Sequence, residues 1–360
     1  MRSSHTTRRA FLAAIGSAGA IAALRALRPA NATFSTTFST TFSTTPSRTG
    51  PSDGSPGLAV HRHSGTALGA PVAFTIVGSD PEHAREAARA AFAELERVES
   101  LMSLYRPDSE LSRLNAVGYL DHPSSELVEI LSAARWVSMA SDGCFDVTVQ
   151  PAMLVHLAAH RAGTPPDLDA LARASTLVDW RRVAVSRDRI ELGPGMAVTL
   201  NGIAQGYATD RARAALVRAG VTAAIVDAGE LAAIGADERG APWTYGVQHP
   251  DVPGAHLARL ATDGRCAATS GQYARTMGAS HILDPATGAG ARGFASVTVL
   301  ATAAWLADAL STAIFAAGPD RASALVRAFP GTDALLVVDG GRTIATPGMQ
   351  ALIAGGSGRA

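Results

Sequence analysis

The chain has 360 residues, 47% hydrophobic and 17% charged, and its 31 basic and 31 acidic side chains leave no net charge. Such a composition builds a packed soluble core and offers no basic surface for counterion release from a phosphate backbone, which excludes nucleic acid as a partner. The two cysteines, Cys144 and Cys266, lack metal-site spacing; one disulfide and two buried thiols are both compatible with the sequence.

In chain order, Thr7-Arg8-Arg9-Ala10-Phe11-Leu12 and the Ala- and Gly-rich run to Leu24 read as a twin-arginine signal peptide. The run falls short of the roughly 20 residues that a membrane-spanning helix needs. Small-residue cleavage fits after Ala32, so the mature protein is expected in the periplasm, exported by the twin-arginine route. No cysteine follows to carry a lipid. Residues 33–57, with Phe-Ser-Thr-Thr repeated three times between Phe34 and Thr45, have too little apolar surface to fold and read as a disordered Ser/Thr/Pro/Gly linker. The folded domain is expected over residues 58–355.

Ala67 to Val77 alternates as a strand, and Pro81 to Val98 has helical spacing. Pro107-Asp108 breaks that helix and Ser109 can cap the next one. Tyr105 and Arg106 stand at the break, read from physics alone as a buried tyrosine and a solvated arginine. A helix over Ser125 to Ala140 ends at Gly143, followed by a short strand carrying Phe145 and Asp146. That pair either stacks on and hydrogen-bonds a planar heterocycle, or is a core ring beside a turn cap. No chemistry is read from His160 to Asp179. From Val198 a strand stops at Asn201-Gly202 and restarts as a helix through Leu216, exposing N–H groups suited to phosphate. Ala223 to Val226 is a strand, Asp227 to Glu230 a turn with two acids, and Arg265 to Tyr273 a small-residue turn whose hydroxyls suit phosphate oxygens.

Two later stretches carry the strongest chemistry. Ser280 to Gly288 puts His281 and Asp284 beside a turn. After a strand from Ala295 to Leu300, a helix over Ala304 to Ala317 ends at Gly318-Pro319 and presents Asp308 and Thr312 on one face, four residues apart. Aspartate is a poor helix-interior residue on a face shared with leucines, and a bound cation would explain it. A carboxylate and a hydroxyl suit Mg²⁺, which takes few protein oxygens and completes its shell with water and phosphate.

Ser103 to Asn115, Phe145 to Thr148, Gly202 to Tyr207, Ala268 to Gly271, His281 to Pro285 and Ala307 to Ala313 occur together and in order, and with them the chain resembles the ApbE-type FAD:protein FMN transferases from about Leu58 onward. The wording of Val198 to Asp210 and the leader resemble the NosX-like branch tied to nitrous oxide reduction.

The resemblance implies a single mixed-sheet α+β domain with a flavin cleft; strands and helices alternate too irregularly for a doubly wound parallel sheet. It implies Mg²⁺-dependent transfer of FMN from FAD to a threonine hydroxyl of an acceptor flavoprotein, with release of AMP. The acceptor suggested by the branch is a membrane-bound regulator of nitrous oxide reductase. By position in the motifs, His281 is the base, Asp308, Thr312 and the Gly202 carbonyl hold the metal, and Leu68, Tyr105, Cys144, Phe145, Asp146, Thr199, Gln205, Ser270 and Leu283 hold FAD. Thr199 stands where many members have aspartate, Gln205 where many have lysine or glutamate, and Leu68 where many have methionine. The chemistry is expected to survive with an altered cradle. A Mg²⁺-dependent FAD pyrophosphatase, with water as nucleophile, and a non-catalytic FAD-binding carrier or assembly factor are the alternative functions.

Overall fold

The computed structural model describes residues 58–252, 254–272 and 281–356; the leader and linker expected over residues 1–57 lie outside the described residues. In chain order the strands are β1 (Ala59–Ala67), β2 (Ala70–Gly78), β3 (Tyr119–Asp121), β4 (Val183–Val185), β5 (Arg189–Leu192), β6 (Ala224–Asp227), β7 (Leu231–Ile234), β8 (Thr244–Gln248), β9 (His256–Ala261), β10 (Cys266–Gly271), β11 (Phe294–Ala301), β12 (Asp333–Val338) and β13 (Thr343–Ala345). The helices are α1 (Pro81–Met102), α2 (Glu110–Val117), α3 (Ser125–Ala140), α4 (Gln150–Ala162), α5 (Leu168–Ser175), α6 (Ala204–Arg218), α7 (Ala304–Ala317), α8 (Pro319–Ala328) and α9 (Pro347–Gly356).

Eight strands form one sheet in the order β1-β2-β6-β7-β10-β11-β12-β13, with every neighbouring pair antiparallel. This is the mixed α+β architecture expected, and among the described residues it has no parallel strand pair of the kind that makes a doubly wound sheet. The pleat sends alternate residues to opposite faces. Phe74, Ile76, Val226, Ala268, Val297 and Leu336 meet α1, α6 and α7 in the main core, whereas Ala267, Leu300 and Leu335 pack beneath β8, β9 and α9 with Tyr245, Leu260 and Met349. Among the described residues no helix is long and apolar enough to cross a membrane.

Four local readings change. The single strand expected over Ala67 to Val77 is instead the turn and second strand of a hairpin: Leu68 and Gly69 take φ of 53° and 75°, the left-handed pair of a tight two-residue turn, and β1 and β2 pair on either side. No strand follows Gly143; Phe145 and Asp146 lie in a loop that enters a 3₁₀ turn at Val147–Val149. Val198 to Leu200 belongs to no sheet. Arg265 to Tyr273 is not a turn: Cys266–Gly271 is a central strand between β7 and β11, where small residues let α7 approach closely, and Tyr273 lies outside the described residues.

The unpaired Val198 segment is held by a side chain instead of a ladder. Buried Asn115, in α2, donates from Nδ2 to the Val198 carbonyl at 2.8 Å and accepts the Val198 N–H on Oδ1 at 2.7 Å. Asn115→Ala strands both backbone groups, and each unsatisfied buried group costs about 1–3 kcal/mol. The expected result is a loss of about 2–4 kcal/mol, measured as a fall in urea midpoint at unchanged m-value.

Candidate functional site

α7 begins after Ala303 and ends at Gly318, whose φ of 76° an L side chain would resist. Its fourteen residues pack on β10 and β11, and its Asp308–Thr312 face meets the segment that starts α6 at Gly202 and Gly206. There a cleft of about 250 Å³ opens. Its walls come from α7 (Asp308, Thr312, Ala316), the segment into α6 (Thr199, Asn201, Gly202, Gln205), β10 (Thr269, Ser270, Gly271), the turn between β6 and β7 (Glu230), the loop over Cys144 to Val149, Met153, and the segment His281 to Pro285.

Eleven of the residues singled out from sequence line this one cleft: His281, Asp308, Thr312, Gly202, Cys144, Phe145, Asp146, Thr199, Gln205, Ser270 and Leu283. Leu68 and Tyr105 stand outside its lining. Leu68 sits at the β1–β2 turn and donates its N–H to Glu99 Oε2 at 2.7 Å. Tyr105 is 85% exposed, so the buried tyrosine expected from physics alone is not found.

The cleft floor is oxygen-rich. Asp308 is 5% exposed and its Oδ2 accepts the Gly206 N–H at 3.0 Å. Ser270 Oγ lies 2.8 Å from Ser311 Oγ and 3.2 Å from Thr312 Oγ1, tying β10 to α7. Gly202 packs so closely on α7 that a Cβ there would meet Thr312 Oγ1 at 3.0 Å. The Asp308 carboxylate, the Thr312 hydroxyl and the Gly202 backbone therefore converge. Hard oxygens of this kind suit Mg²⁺, and a buried carboxylate with one N–H partner is a fit for a cation.

Glu230, 7% exposed, was noted from sequence only as an acid in a turn and was not assigned to the site. Burial first, and then the Asp308 charge, push its carboxyl well above the ordinary carboxylate range, while the Thr269 N–H pulls the other way. Burial likewise raises Asp308, to about 7, against the Gly206 hydrogen bond. Two desolvated carboxylates at one cleft make a site that favours either a proton or a cation. The sequence signal was the acid in the turn after Asp227; that it faces Asp308 is set by the β6–β7–β10 pairing.

The remaining roles separate by geometry. Phe145 is both core and cleft wall: 4% exposed, its ring stands 3.3 Å from where a Gly202 Cβ would be. Asp146 spends its carboxylate on turns, accepting from the Thr148 N–H and hydroxyl at 2.8 and 2.6 Å and from the Trp180 N–H at 3.0 Å. Its backbone is what remains for a ligand. Asp284 is also a turn former, accepting from the Ala286 N–H and the Thr287 hydroxyl. That turn is pinned by Ser175 Oγ donating to the Thr287 carbonyl at 2.9 Å and by His156 Nε2 at 2.8 Å from the Gly288 carbonyl. His281 stands at the mouth, exposed, with desolvation drawing its pKa below the ordinary imidazole value. Gln205 lays its amide over Gly229, where a Cβ would meet Nε2 at 2.7 Å and where φ is 95°. Both cysteines are buried free thiols, and burial raises the pKa of each.

Residues 68–336 match the model of the ApbE family. The chain is 31% identical to the FAD:protein FMN transferase of Treponema pallidum over 288 residues, 72% of this chain and 78% of that one. It is 30% identical to the enzyme of the same name from Salmonella typhimurium over 283 residues, 73% of this chain and 80% of that one. Among solved structures it superposes on the apo flavinyl transferase ApbE of Pseudomonas stutzeri with a TM-score of 0.72 at 28% identity, covering 82% of this chain and 97% of that one. The ApbE protein of Thermotoga maritima gives a TM-score of 0.72 at 27% identity, covering 82% and 99%.

Proposed function

The chain belongs to the ApbE family, and from that premise we propose that it transfers FMN from FAD to a threonine hydroxyl of an acceptor flavoprotein in a Mg²⁺-dependent reaction that releases AMP. One observation carries the reading: the candidate base, the candidate metal oxygens and most of the candidate flavin contacts line a single cleft.

In the proposed step the threonine Oγ1 attacks the FMN phosphorus, the phosphorus–oxygen bond to the AMP half breaks, AMP leaves, and the threonine proton passes to His281. A ring whose pKa lies below its ordinary value is free base at neutral pH and ready to take that proton. Asp308, Thr312 and the Gly202 carbonyl would hold Mg²⁺, which when bound neutralises charge on the non-bridging pyrophosphate oxygens. Phe145 and the backbone of Cys144 to Asp146 form the wall for a flat ring, and Thr199, Gln205, Ser270 and Leu283 supply polar and apolar contacts around it.

The paired arginines support export of a transferase unit spanning residues 58–355, and the NosX-like motif wording supports a membrane-bound flavoprotein of nitrous oxide reduction as acceptor. The deciding assay incubates the protein with FAD, Mg²⁺ and a candidate acceptor domain and looks for an FMN-sized mass increase on a threonine. AMP release without acceptor would point instead to hydrolysis, and tight FAD binding without AMP to a carrier.

The carboxylate environment makes a further prediction. Asp308 is raised from 3.8 to about 7 in the folded protein. A raised carboxyl stabilises the fold below its unfolded pKa, and that contribution is lost as pH climbs through about 7. Mg²⁺ binds the ionised form and restores what was lost. The rise in Tm on adding Mg²⁺ is therefore expected to be larger near pH 8 than near pH 5.5, by on the order of 5 °C, measured by thermal melts with and without metal. An equal rise at both pH values would take the ionised pair out of the metal site.

A further inference from the structure

Neither helix that frames the cleft caps itself. α6 starts after Ile203 and α7 after Ala303, and neither residue offers a side-chain acceptor to its own first turn. The free N–H groups are met by carboxylates from the opposite helix. Asp210 of α6 accepts the Trp305 N–H on Oδ2 at 3.0 Å and the Ala304 N–H as well, while Asp308 of α7 accepts the Gly206 N–H at 3.0 Å. The first turns touch backbone to backbone at this crossing, because a Cβ on Gly206 would lie 2.3 Å from the Ala304 carbonyl oxygen. Capping and docking are thus one event for both helices.

We propose that Asp210 is a positioning residue for the cleft: by holding the N-terminus of α7 it fixes the rotation and register that aim Asp308 and Thr312 at their ligand. Asp210 does not line the cleft. Trp305 precedes Asp308 by about one helical turn, so a slip at Trp305 is carried to Asp308 along a rigid element. A serine or aspartate at position 303 would have capped α7 locally without referring it to α6; the cross-helix acceptor ties the metal carboxylate to the segment that carries Gly202 and Gln205. What Asp308 does once aimed rests on the transferase reading above, whereas how it is aimed rests on the helix pair alone.

The test compares Asp210→Ala with Asp210→Asn, which keeps an acceptor oxygen, in the otherwise intact protein. Calorimetric titration with Mg²⁺ well below Tm should show Kd raised by about 10–100-fold in the alanine variant and within about 3-fold of the parent in the asparagine variant. Amide hydrogen exchange at Gly206 reads the same interlock without metal, and should quicken by about tenfold or more in the alanine variant only. A folded alanine variant with parental Mg²⁺ affinity and parental exchange at Gly206 overturns the proposal, as does an asparagine variant that loses as much as alanine. A parent without Mg²⁺ affinity, with exchange still quickened by alanine, overturns the metal reading and leaves the positioning role standing. Should the alanine variant not fold, Asp210→Glu, which displaces the acceptor by one methylene, is expected to shift both readouts in the same direction.

Discussion

Asp308→Asn is expected to lower metal-dependent turnover by about three orders of magnitude, about 4 kcal/mol in activation free energy, while the protein stays folded. Asparagine keeps the volume and an oxygen that accepts the Gly206 N–H, so the α6–α7 crossing survives. What it removes is the charge. Asp308 is buried beside Glu230, and desolvation holds both carboxyls above their ordinary range, so the metal-free parent carries a repulsion that the variant lacks. Metal-free asparagine variant should therefore melt no lower than the parent near pH 8, and Mg²⁺ should no longer raise its Tm. The two readouts, kcat for AMP release and the Mg²⁺-dependent Tm shift, are lost together if Asp308 is the principal metal oxygen. Retained turnover with unaltered Mg²⁺ dependence would remove it from that role.

Asp308 was legible in the sequence because a helix repeats every 3.6 residues, which puts positions four apart on one face whatever the tertiary fold. Local chemistry was equally readable where one turn decided it: Ser109 does cap α2, accepting the Ser112 N–H at 3.0 Å, and Gly318 does end α7. The same locality explains the misses. Cys266–Gly271 looked like a turn because its residues are small; it is a strand because β7 and β11 flank it, and neither neighbour is visible from within six residues. Glu230 was noted as one of two acids in a turn, but its contact with the Asp308 charge depends on how β6, β7 and β10 are ordered in the sheet. Asp146 shows the converse. Its carboxylate, read from sequence as either a ligand contact or a turn cap, is the cap: it is consumed by the Thr148 and Trp180 groups, and the Trp180 contact is long-range. A side chain can thus sit in the cleft wall and still act mainly by shaping the loop that carries its neighbours.

His281→Ala is expected to slow FMN transfer by about 10²–10⁴-fold with KM for FAD within about 3-fold of the parent. The asymmetry follows from position. His281 stands exposed at the rim of the cleft, where the proposed acceptor hydroxyl would enter, whereas the residues assigned to the flavin, Phe145, Gln205 and Ser270, are buried or half-buried in its wall. Losing the ring should cost proton transfer and leave FAD binding near parental. The pH profile separates this base from the carboxylates. Desolvation holds His281 below its ordinary pKa, so the ring is already neutral where the Asp308–Glu230 pair is still giving up protons. The parent's fall in rate on acidification from about pH 8 toward 6 therefore belongs to the carboxylates, and the alanine variant should keep that fall at its reduced level. A limb that vanishes with the imidazole would assign the titration to His281 instead. With no base on the protein, the residual rate above neutrality should climb with hydroxide, while added imidazole restores part of the lost rate in proportion to its free-base concentration.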